Sequence, residues 1–226
     1  MKIIRHAAAA LAVSAAVATP VSAQVSGIGV ADPAVIVASS QALQTAYSQI
    51  ATTYQAQRTQ LEQLQQQHTA LLRQLDSNGD GQLSEAEQAA AQQANNPVRP
   101  QLEANEQSIA QTQAPLNRAR VYAIEQIAQQ LNPAVQQVVS QGSIQLIIAP
   151  NSVLYMAEAV SVSDEIVAAL NTRLPAVAIT PPDAWQPSQQ SVSLFQDVQE
   201  VLMMAAVQQQ QAQAASQPQQ PAVTGR

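Results

Sequence analysis

The sequence predicts a mainly α protein in which a long antiparallel helical hairpin, a coiled-coil arm, projects from a small body with short β-strands. Apolar residues alternate at spacings of three and four over two stretches, 39–75 and 99–141. At ~1.5 Å per residue, both stretches would extend about 55–65 Å, so they match in length. Aromatic residues are only 3% and charged residues 11% of the 226 residues, which suits long helices better than a dense globule.

The arm is predicted from the apolar positions of its two helices. The outgoing seam consists of Tyr47, Ile50, Tyr54, Gln57, Leu61, Leu64, His68, Leu71 and Leu75. On the returning stretch, Leu102, Ile109 and Leu116 recur every seven residues. Pro115 and Pro133 each lack a backbone donor, so we expect kinks there. His68 has no second ligand at metal spacing and is interpreted as a hydrated seam residue.

Short apolar runs on either side of the arm predict the body. Residues 28–32 and 144–149 favour β-strands, and residues 152–156 could form a short third strand. A compact helix is predicted over residues 165–173, with Ser163 or Asp164 as its N-cap.

The loop between the arm helices, residues 76–87, has the spacing of a complete EF-hand calcium loop. Its predicted metal ligands are Asp76, Asn78 and Asp80 at positions 1, 3 and 5, the Gln82 carbonyl at 7, Ser84 through water at 9, and Glu87 bidentate at 12. Gly81 at position 6 is expected where the chain turns sharply and a side chain would clash. A polar turn joining two helices is the alternative. Because no second loop is present to pair with it, we expect an affinity of roughly 10⁻⁵ to 10⁻³ M.

The first 23 residues have the pattern of a cleaved export signal. Lys2 and Arg5 precede an apolar run, residues 7–18, which is too short to span a bilayer as an ordinary helix. Val21-Ser22-Ala23 then matches a small-x-small cleavage site. We therefore predict an exported protein that starts at residue 24, with a retained anchor as the alternative.

The charge of the chain excludes several classes of partner. Loss of Lys2 and Arg5 would change the net charge from −6 to −8 and leave only arginines as basic residues. Such a chain lacks the basic surface that nucleic acids require and the polybasic cluster that anionic lipids attract, which makes membrane contact doubtful. Phosphate-binding loops and the GxSxG, HExxH and CxxC motifs are absent from the sequence, so we predict no catalytic residues, no organic cofactor and no enzyme activity.

The tail, residues 175–226, starts Pro-rich and ends Gln-rich. Between these parts, residues 191–207 carry apolar side chains at helical spacing. This helix is expected either to dock on the body or to bind a partner or client. Trp185 is predicted to pack the preceding linker against the body.

Residues 28–32 and 121–174 resemble the Skp/OmpH family of periplasmic chaperones, most clearly in I-E-Q-I-A-Q-Q-L and G-S-I-Q-L-I-I-A-P-N-S-V-L-Y. The resemblance covers about residues 25–174 and excludes the calcium loop and the tail. It implies a homotrimer with a β-body formed by 24–38 and 142–174, and an arm, 39–141, that encloses unfolded outer-membrane proteins without ATP. Two functions are therefore expected as alternatives: a periplasmic holdase with a calcium site, or a calcium-responsive envelope adaptor or scaffold.

Overall fold

The computed structural model of the chain describes residues 27–93, 95–155 and 157–216. Its elements are β1 (Ile28–Val30), α1 (Pro33–Ser39), α2 (Gln41–Thr53), α3 (Gln55–Leu75), α4 (Glu85–Ala91), α5 (Arg99–Gly142), β2 (Leu146–Ile148), α6 (Ser163–Arg173) and α7 (Gln189–Ser216), with two 3₁₀ turns at Pro150–Ser152 and Glu158–Val160. Long helices and a two-stranded sheet confirm the predicted fold class. The predicted export signal lies outside the described residues.

The predicted outgoing helix, residues 39–75, is divided into α2 and α3, and a separate short helix, α1, precedes it. Ser40 has an extended backbone and separates α1 from α2. Its hydroxyl donates to the Val37 carbonyl at 2.7 Å and accepts from the Leu43 amide at 3.3 Å. This short side chain therefore caps both helix ends, which an apolar pattern does not reveal. Tyr54 distorts the second junction only mildly, because its amide still donates to the Ile50 carbonyl at 2.9 Å.

The sheet is a parallel pair, β1 with β2, in the register Ile28 to Leu146 and Val30 to Ile148. Parallel neighbours need a long crossover connection, and the whole arm supplies it here. The third strand predicted at 152–156 is wrong for the described part of that range, since Pro150–Ser152 is a 3₁₀ turn and no strand follows over Val153–Tyr155. Pro150 fits the first position of that turn and directs the chain away from β2. The third pairing is instead a bridge between Val30 and Ser161.

The core of the body is largely helical. Side chains from α1, α2, the C-terminal half of α5, α6 and α7 form one buried cluster whose large members include Ile36, Leu43, Ile124, Ile127, Ile166, Leu170 and Val198. Neither predicted N-cap bonds to the start of α6; the Ser163 hydroxyl accepts from the Asp32 amide instead, at 3.4 Å. Among the described helices, none combines the length and apolarity needed to cross a membrane.

The returning helix α5 joins the arm to the body. It runs without interruption from Arg99 to Gly142 and passes through Pro115 and Pro133. The kinks expected at these prolines stay a prediction. Near the arm tip, the side-chain nitrogen of Asn105, Nδ2, donates to the Leu64 carbonyl at 3.1 Å, so α3 and α5 pack side by side. Antiparallel packing is shown by a tip cluster in which Leu71 and Leu75 of α3 meet Val98 and Leu102 at the start of α5.

Candidate functional site

The loop at the arm tip is shaped by its own acidic and amide side chains. Asp76 accepts from the Gly79 amide at 2.7 Å through Oδ1 and from the Gly81 amide at 2.8 Å through Oδ2. Asn78 and Asp80 each accept from the amide two residues further along, at 2.9 and 2.8 Å. Such local bonds turn the backbone tightly and hold these side-chain oxygens on one short segment.

The two loop glycines are required for their backbone conformation. Gly79 has a φ of +75° and Gly81 a φ of +81°, both in the left-handed region that favours glycine. A Cβ at either residue would have no neighbouring atom within 4 Å. The clash expected at Gly81 is therefore absent, and the backbone angle is the reason for glycine.

Glu87 closes the loop by bonding to both of its ends. Its Oε1 accepts from the amide and the hydroxyl of Ser77, both at 2.7 Å, and from the Asn78 amide at 3.2 Å. Its Oε2 accepts from the amide of Ser84 at 2.9 Å and from that residue's hydroxyl at 2.8 Å. Ser84 and Glu87 thereby form a reciprocal capping box at the start of α4. Glu87 is only 7% exposed.

These hydrogen bonds favour the ionised form of Glu87. The Ser77 hydroxyl contributes most, followed by the Ser84 amide, the Ser84 hydroxyl and the Ser77 amide, and together they lower the pKa of Glu87 from 4.5 to about 2. Nothing in the sequence motif pointed to Ser77, because position 2 of such a loop supplies no metal ligand. Its role follows from the contact with Glu87 ten residues away.

The six predicted ligands are brought together only in part. The side-chain nitrogen of Asn78, Nδ2, donates to Asp80 Oδ2 at 2.9 Å, and Glu87 accepts from Ser77 at the start of the loop. Gln82 is exposed, and the Ser84 hydroxyl is engaged with Glu87. Within the described ranges, no three His, Cys, Asp or Glu side chains form a metal-binding group. Calcium prefers oxygen ligands such as these, yet Glu87 would have to give up its hydrogen bonds to Ser77 and Ser84 to bind the ion.

We predict that Glu87→Gln removes an acid transition of the arm tip. Only the carboxylate accepts all of these bonds, and the pKa of Glu87 is lowered by folding. The stability that the hydrogen bonds of Glu87 confer on the tip is therefore complete above about pH 4.5 and is lost as the pH falls toward about 2. Amide hydrogen exchange of residues 77, 78 and 84 should accelerate over this window in the wild type. The variant should exchange fast already at pH 6.

Glu85→Gln is the matched control, because Glu85 is exposed and lies in the same first helical turn as Glu87. This control should keep the wild-type acid profile of the tip. An unchanged profile in Glu87→Gln would show that the hydrogen bonds of Glu87 do not stabilise the loop.

The tip loop is also packed onto the arm. Leu83, at position 8 of the loop, joins the tip cluster of Leu71, Leu75, Val98, Ala91 and Leu102. Position 8 usually faces a second calcium loop. Here Leu83 packs against the start of α5 instead, so the loop is held in place without a second calcium loop.

A shallow groove runs along the arm between α3 and α5, behind the tip. It encloses about 490 Å³ and has both apolar and amide-bearing walls, which include Leu64, Ala70, Leu71, Ala104, Asn105 and Ser108. His68 lies close by, half-buried, with its Nε2 3.6 Å from a carboxylate oxygen of Glu106. The surface of the arm thus offers small apolar patches among neutral amides.

The family of the chain is shown by its sequence. The model of a family described as "Outer membrane protein (OmpH-like)" matches residues 27–170, well over half of the chain. The chain belongs to the OmpH-like family. Within the OmpH-like region lie both strands, the arm, its tip loop and most of α6, whereas the linker and α7 lie beyond it.

Comparisons beyond the OmpH-like family match are weak. One crystal structure, of a proposed outer membrane chaperone (OmpH-like) from Caulobacter crescentus CB15, aligns with 72% of this chain and 95% of that chain. The sequences are 17% identical and the TM-score is 0.45, so we base no functional argument on this alignment. Curated proteins include no significant match to this chain.

The segment beyond the OmpH-like region is fastened to α5. Arg118 donates to the carbonyls of Pro182 at 3.0 Å, Asp183 at 3.2 Å and Trp185 at 2.7 Å, and its guanidinium lies 5.4 Å from the centre of the Trp185 ring. The Trp185 ring meets Tyr122 edge-on, with centroids 5.0 Å apart. Trp185 was predicted to pack the linker against the body; it packs instead against α5, within the segment predicted as the arm.

Glu125 and Gln126 complete this attachment. Glu125 accepts from Trp185 Nε1 at 3.3 Å and from the Ser191 hydroxyl at 2.8 Å. Gln126 donates to the Ala178 carbonyl at 2.8 Å and accepts from its amide at 3.1 Å. We call Arg118, Tyr122, Glu125 and Gln126 the linker clamp. Sequence reasoning found Trp185 but none of the clamp residues, since they lie about 60 residues away in α5.

α7 docks on the body over its N-terminal half. Leu194, Phe195, Val201 and Leu202 pack against the main core, and Val198 is completely buried. Docking on the body, one of the two alternatives for residues 191–207, is therefore observed for this half. The helix extends further, to Ser216, and Met203, Met204 and Val207 are exposed.

Proposed function

We propose that this protein is an exported, periplasmic holdase chaperone that binds unfolded outer-membrane proteins without ATP. The observation that carries the proposal is the long two-helix arm of an OmpH-like chain, whose amide-rich surface includes a shallow groove with apolar walls. A holdase has to bind many sequences weakly, and dispersed apolar patches allow a client to bind in many poses. The resemblance to the Skp/OmpH family supports a homotrimer as the working form.

The groove between α3 and α5 provides a direct test. Ala104→Glu would place a carboxylate on its wall, whereas Gln107→Glu adds the same charge to an exposed position outside it. Refolding of a urea-denatured outer-membrane β-barrel would be followed by light scattering with each chaperone variant. We expect suppression of aggregation by the wild type, a several-fold weaker effect of Ala104→Glu, and a normal effect of Gln107→Glu.

Two results would contradict the proposal in different ways. Absence of protection by the wild type would exclude the holdase function. Equal protection by both variants would leave the function intact and place the client away from this groove.

We further propose that the tip loop, residues 76–87, binds calcium as a structural joint of the arm. The proposal is supported by the side-chain oxygens of Asp76, Asn78 and Asp80 at the spacing that calcium requires, and by the left-handed backbone of Gly79 and Gly81 on either side of Asp80. Calcium would compete with Ser77 and Ser84 for Glu87, because both carboxylate oxygens already accept hydrogen bonds. This competition favours weak binding. At 100 times its dissociation constant, calcium would stabilise the tip by about 2.7 kcal/mol.

Calcium dependence distinguishes the holdase from the alternative function of an envelope adaptor. Calcium should slow amide exchange of the tip in the wild type and in Glu85→Gln but not in Glu87→Gln. Client protection that persists in chelator supports the holdase with a structural ion. Protection that depends wholly on calcium would favour the calcium-responsive adaptor.

A further inference from the structure

The middle of the arm lacks the buried apolar side chains that hold its two ends together. At the tip, Leu71 packs into the tip cluster, and nearer the body Ile50 and Leu116 are buried. No residue between Ile50 and Leu71 is buried, and α5 buries only Asn105 and Thr112 before it reaches Leu116. Both of these residues are polar, so the packing of α3 on α5 is weakest over this stretch.

Two side-chain oxygens in this stretch, Gln57 Oε1 and Asn105 Oδ1, are buried without a hydrogen-bond partner among the described residues. Asn105 is only 7% exposed, and its Nδ2 is already bonded to the Leu64 carbonyl. One heptad further from the tip, Gln57 of α3 lies at the level of Thr112 of α5. The Thr112 hydroxyl nevertheless donates to the Ser108 carbonyl of its own helix, at 2.7 Å. Both oxygens can therefore accept from a donor outside this chain.

Apolar and polar side chains alternate along this stretch, and we call them the mid-arm seam: Gln57, Leu61, Leu64, Asn105, Ile109 and Thr112. The three apolar members are half-buried, and none of the residues that line the adjoining groove between α3 and α5 is charged. A buried acceptor without a partner has lost its hydration, so a donor that reaches it recovers free energy. The seam therefore suits a neutral ligand with N–H donors and apolar groups. The main chain of an unfolded protein has an N–H at every residue except proline.

We propose that an extended segment of an unfolded client binds along the mid-arm seam and donates backbone N–H groups to Asn105 Oδ1 and Gln57 Oε1. The inference rests on the proposed holdase function and identifies the part of the client that is recognised. α3 and α5 have to part slightly to admit the segment, and the lack of buried apolar side chains keeps that cost low. Leu61, Leu64 and Ile109 would then contact client side chains. Because every client has the same main chain, this recognition tolerates many sequences.

Two fluorescein-labelled peptides of one sequence, about ten residues from a transmembrane strand of an outer-membrane β-barrel, test the recognition of the main chain. In one peptide, alternate amide nitrogens are methylated, so their N–H donors are lost. By fluorescence anisotropy, the wild type should bind the unmodified peptide about five-fold more tightly, the usual effect of one neutral hydrogen bond. Methylation also changes the conformation of the peptide, so this preference is compared between protein variants.

The double variant Gln57→Leu with Asn105→Leu should bind both peptides equally, because its seam has lost both acceptors. Gln107→Leu is the matched control, since Gln107 is exposed and lies about 200° around α5 from Asn105, and it should keep the wild-type preference. Equal binding of the two peptides to the wild type, or binding of neither, would overturn the proposal. A preference that persists in the double variant would also overturn it, because the amides would then donate elsewhere.

Amide hydrogen exchange separates this binding role from a structural one. In the wild type, residues 57–64 and 105–112 should exchange faster than the tip cluster and the helices near the body. The double variant should slow their exchange, since leucine removes two unpaired acceptors, whereas loss of a stabilising side chain would accelerate it. Uniform exchange along the wild-type arm would contradict the opening of the seam. Light scattering with a full-length client is measured in parallel: protection by a wild type without amide preference keeps the holdase function and rejects this site.

Discussion

Val198→Asp should detach α7 from the body and lower the free energy of unfolding by about 3–5 kcal/mol. Val198 is completely buried in the main core cluster, so the new carboxylate would lose its hydration among apolar side chains. Release of α7 relieves this cost but exposes the apolar face on α1 and α5 that α7 covers. The body should therefore persist with weakened protection instead of unfolding at once.

Urea unfolding and hydrogen exchange would measure this effect. Exchange should accelerate throughout α7 and less in α6, which packs on the other elements of the core. Gln196→Asp is the matched control, because Gln196 is exposed two residues away on the same helix, and its cost should stay under about 1 kcal/mol. Similar losses in both variants would mean that the acidic residue disturbs the helix itself and that burial of Val198 contributes little.

Arg118→Ala should release the linker and shift the fluorescence of Trp185 to longer wavelength. Arg118 donates to three linker carbonyls and stacks on the Trp185 ring, so its removal leaves the linker clamp with only Tyr122, Glu125 and Gln126. Lost charged hydrogen bonds and the cation–π contact together amount to about 2 kcal/mol. Trp185 is the single tryptophan of the chain, so the signal reports on this contact only.

Arg118→Lys refines the test. Lysine keeps the charge and could donate to some of the carbonyls that Arg118 Nη2 reaches, but it lacks the planar group that lies over the Trp185 ring, so the shift should be intermediate. Arg58→Ala, at an exposed position in α3, should leave both the fluorescence and the stability unchanged. An unshifted spectrum in Arg118→Ala would show that Tyr122 and Glu125 are sufficient to hold the tryptophan.

The sequence predicted those parts of the fold that repeat or that obey local spacing. Heptad spacing gave the arm and its returning helix, which runs from Arg99 to Gly142 as against the predicted 99–141. Spacing of Asp76, Asn78 and Asp80 predicted a tightly turned loop, and their oxygens indeed bond to amides within it. Such features depend on neighbours a few residues apart, which a sequence displays directly.

Features that depend on distant contacts were missed or wrong. The clamp of Arg118 on the linker joins segments more than 60 residues apart. The apolar run after Pro150 has the composition of a strand, yet Pro150–Ser152 forms a 3₁₀ turn, and in the described part of the chain the bridge to Val30 comes from Ser161. A composition-based prediction carries no information about which sheet edge remains free.

The parallel register of β1 and β2 has a consequence for the order of folding. Ile28 and Leu146 become partners although about 120 residues separate them, and bringing such distant segments together costs chain entropy before any strand contact is gained. Contacts within the arm are more local and form faster. Once its two helices have paired, the ends of the arm that carry β1 and β2 lie side by side. The sheet should therefore form last, with the arm as its scaffold. Substitutions in the arm that slow the pairing of its helices would therefore delay formation of the β1–β2 sheet, although they lie outside the body.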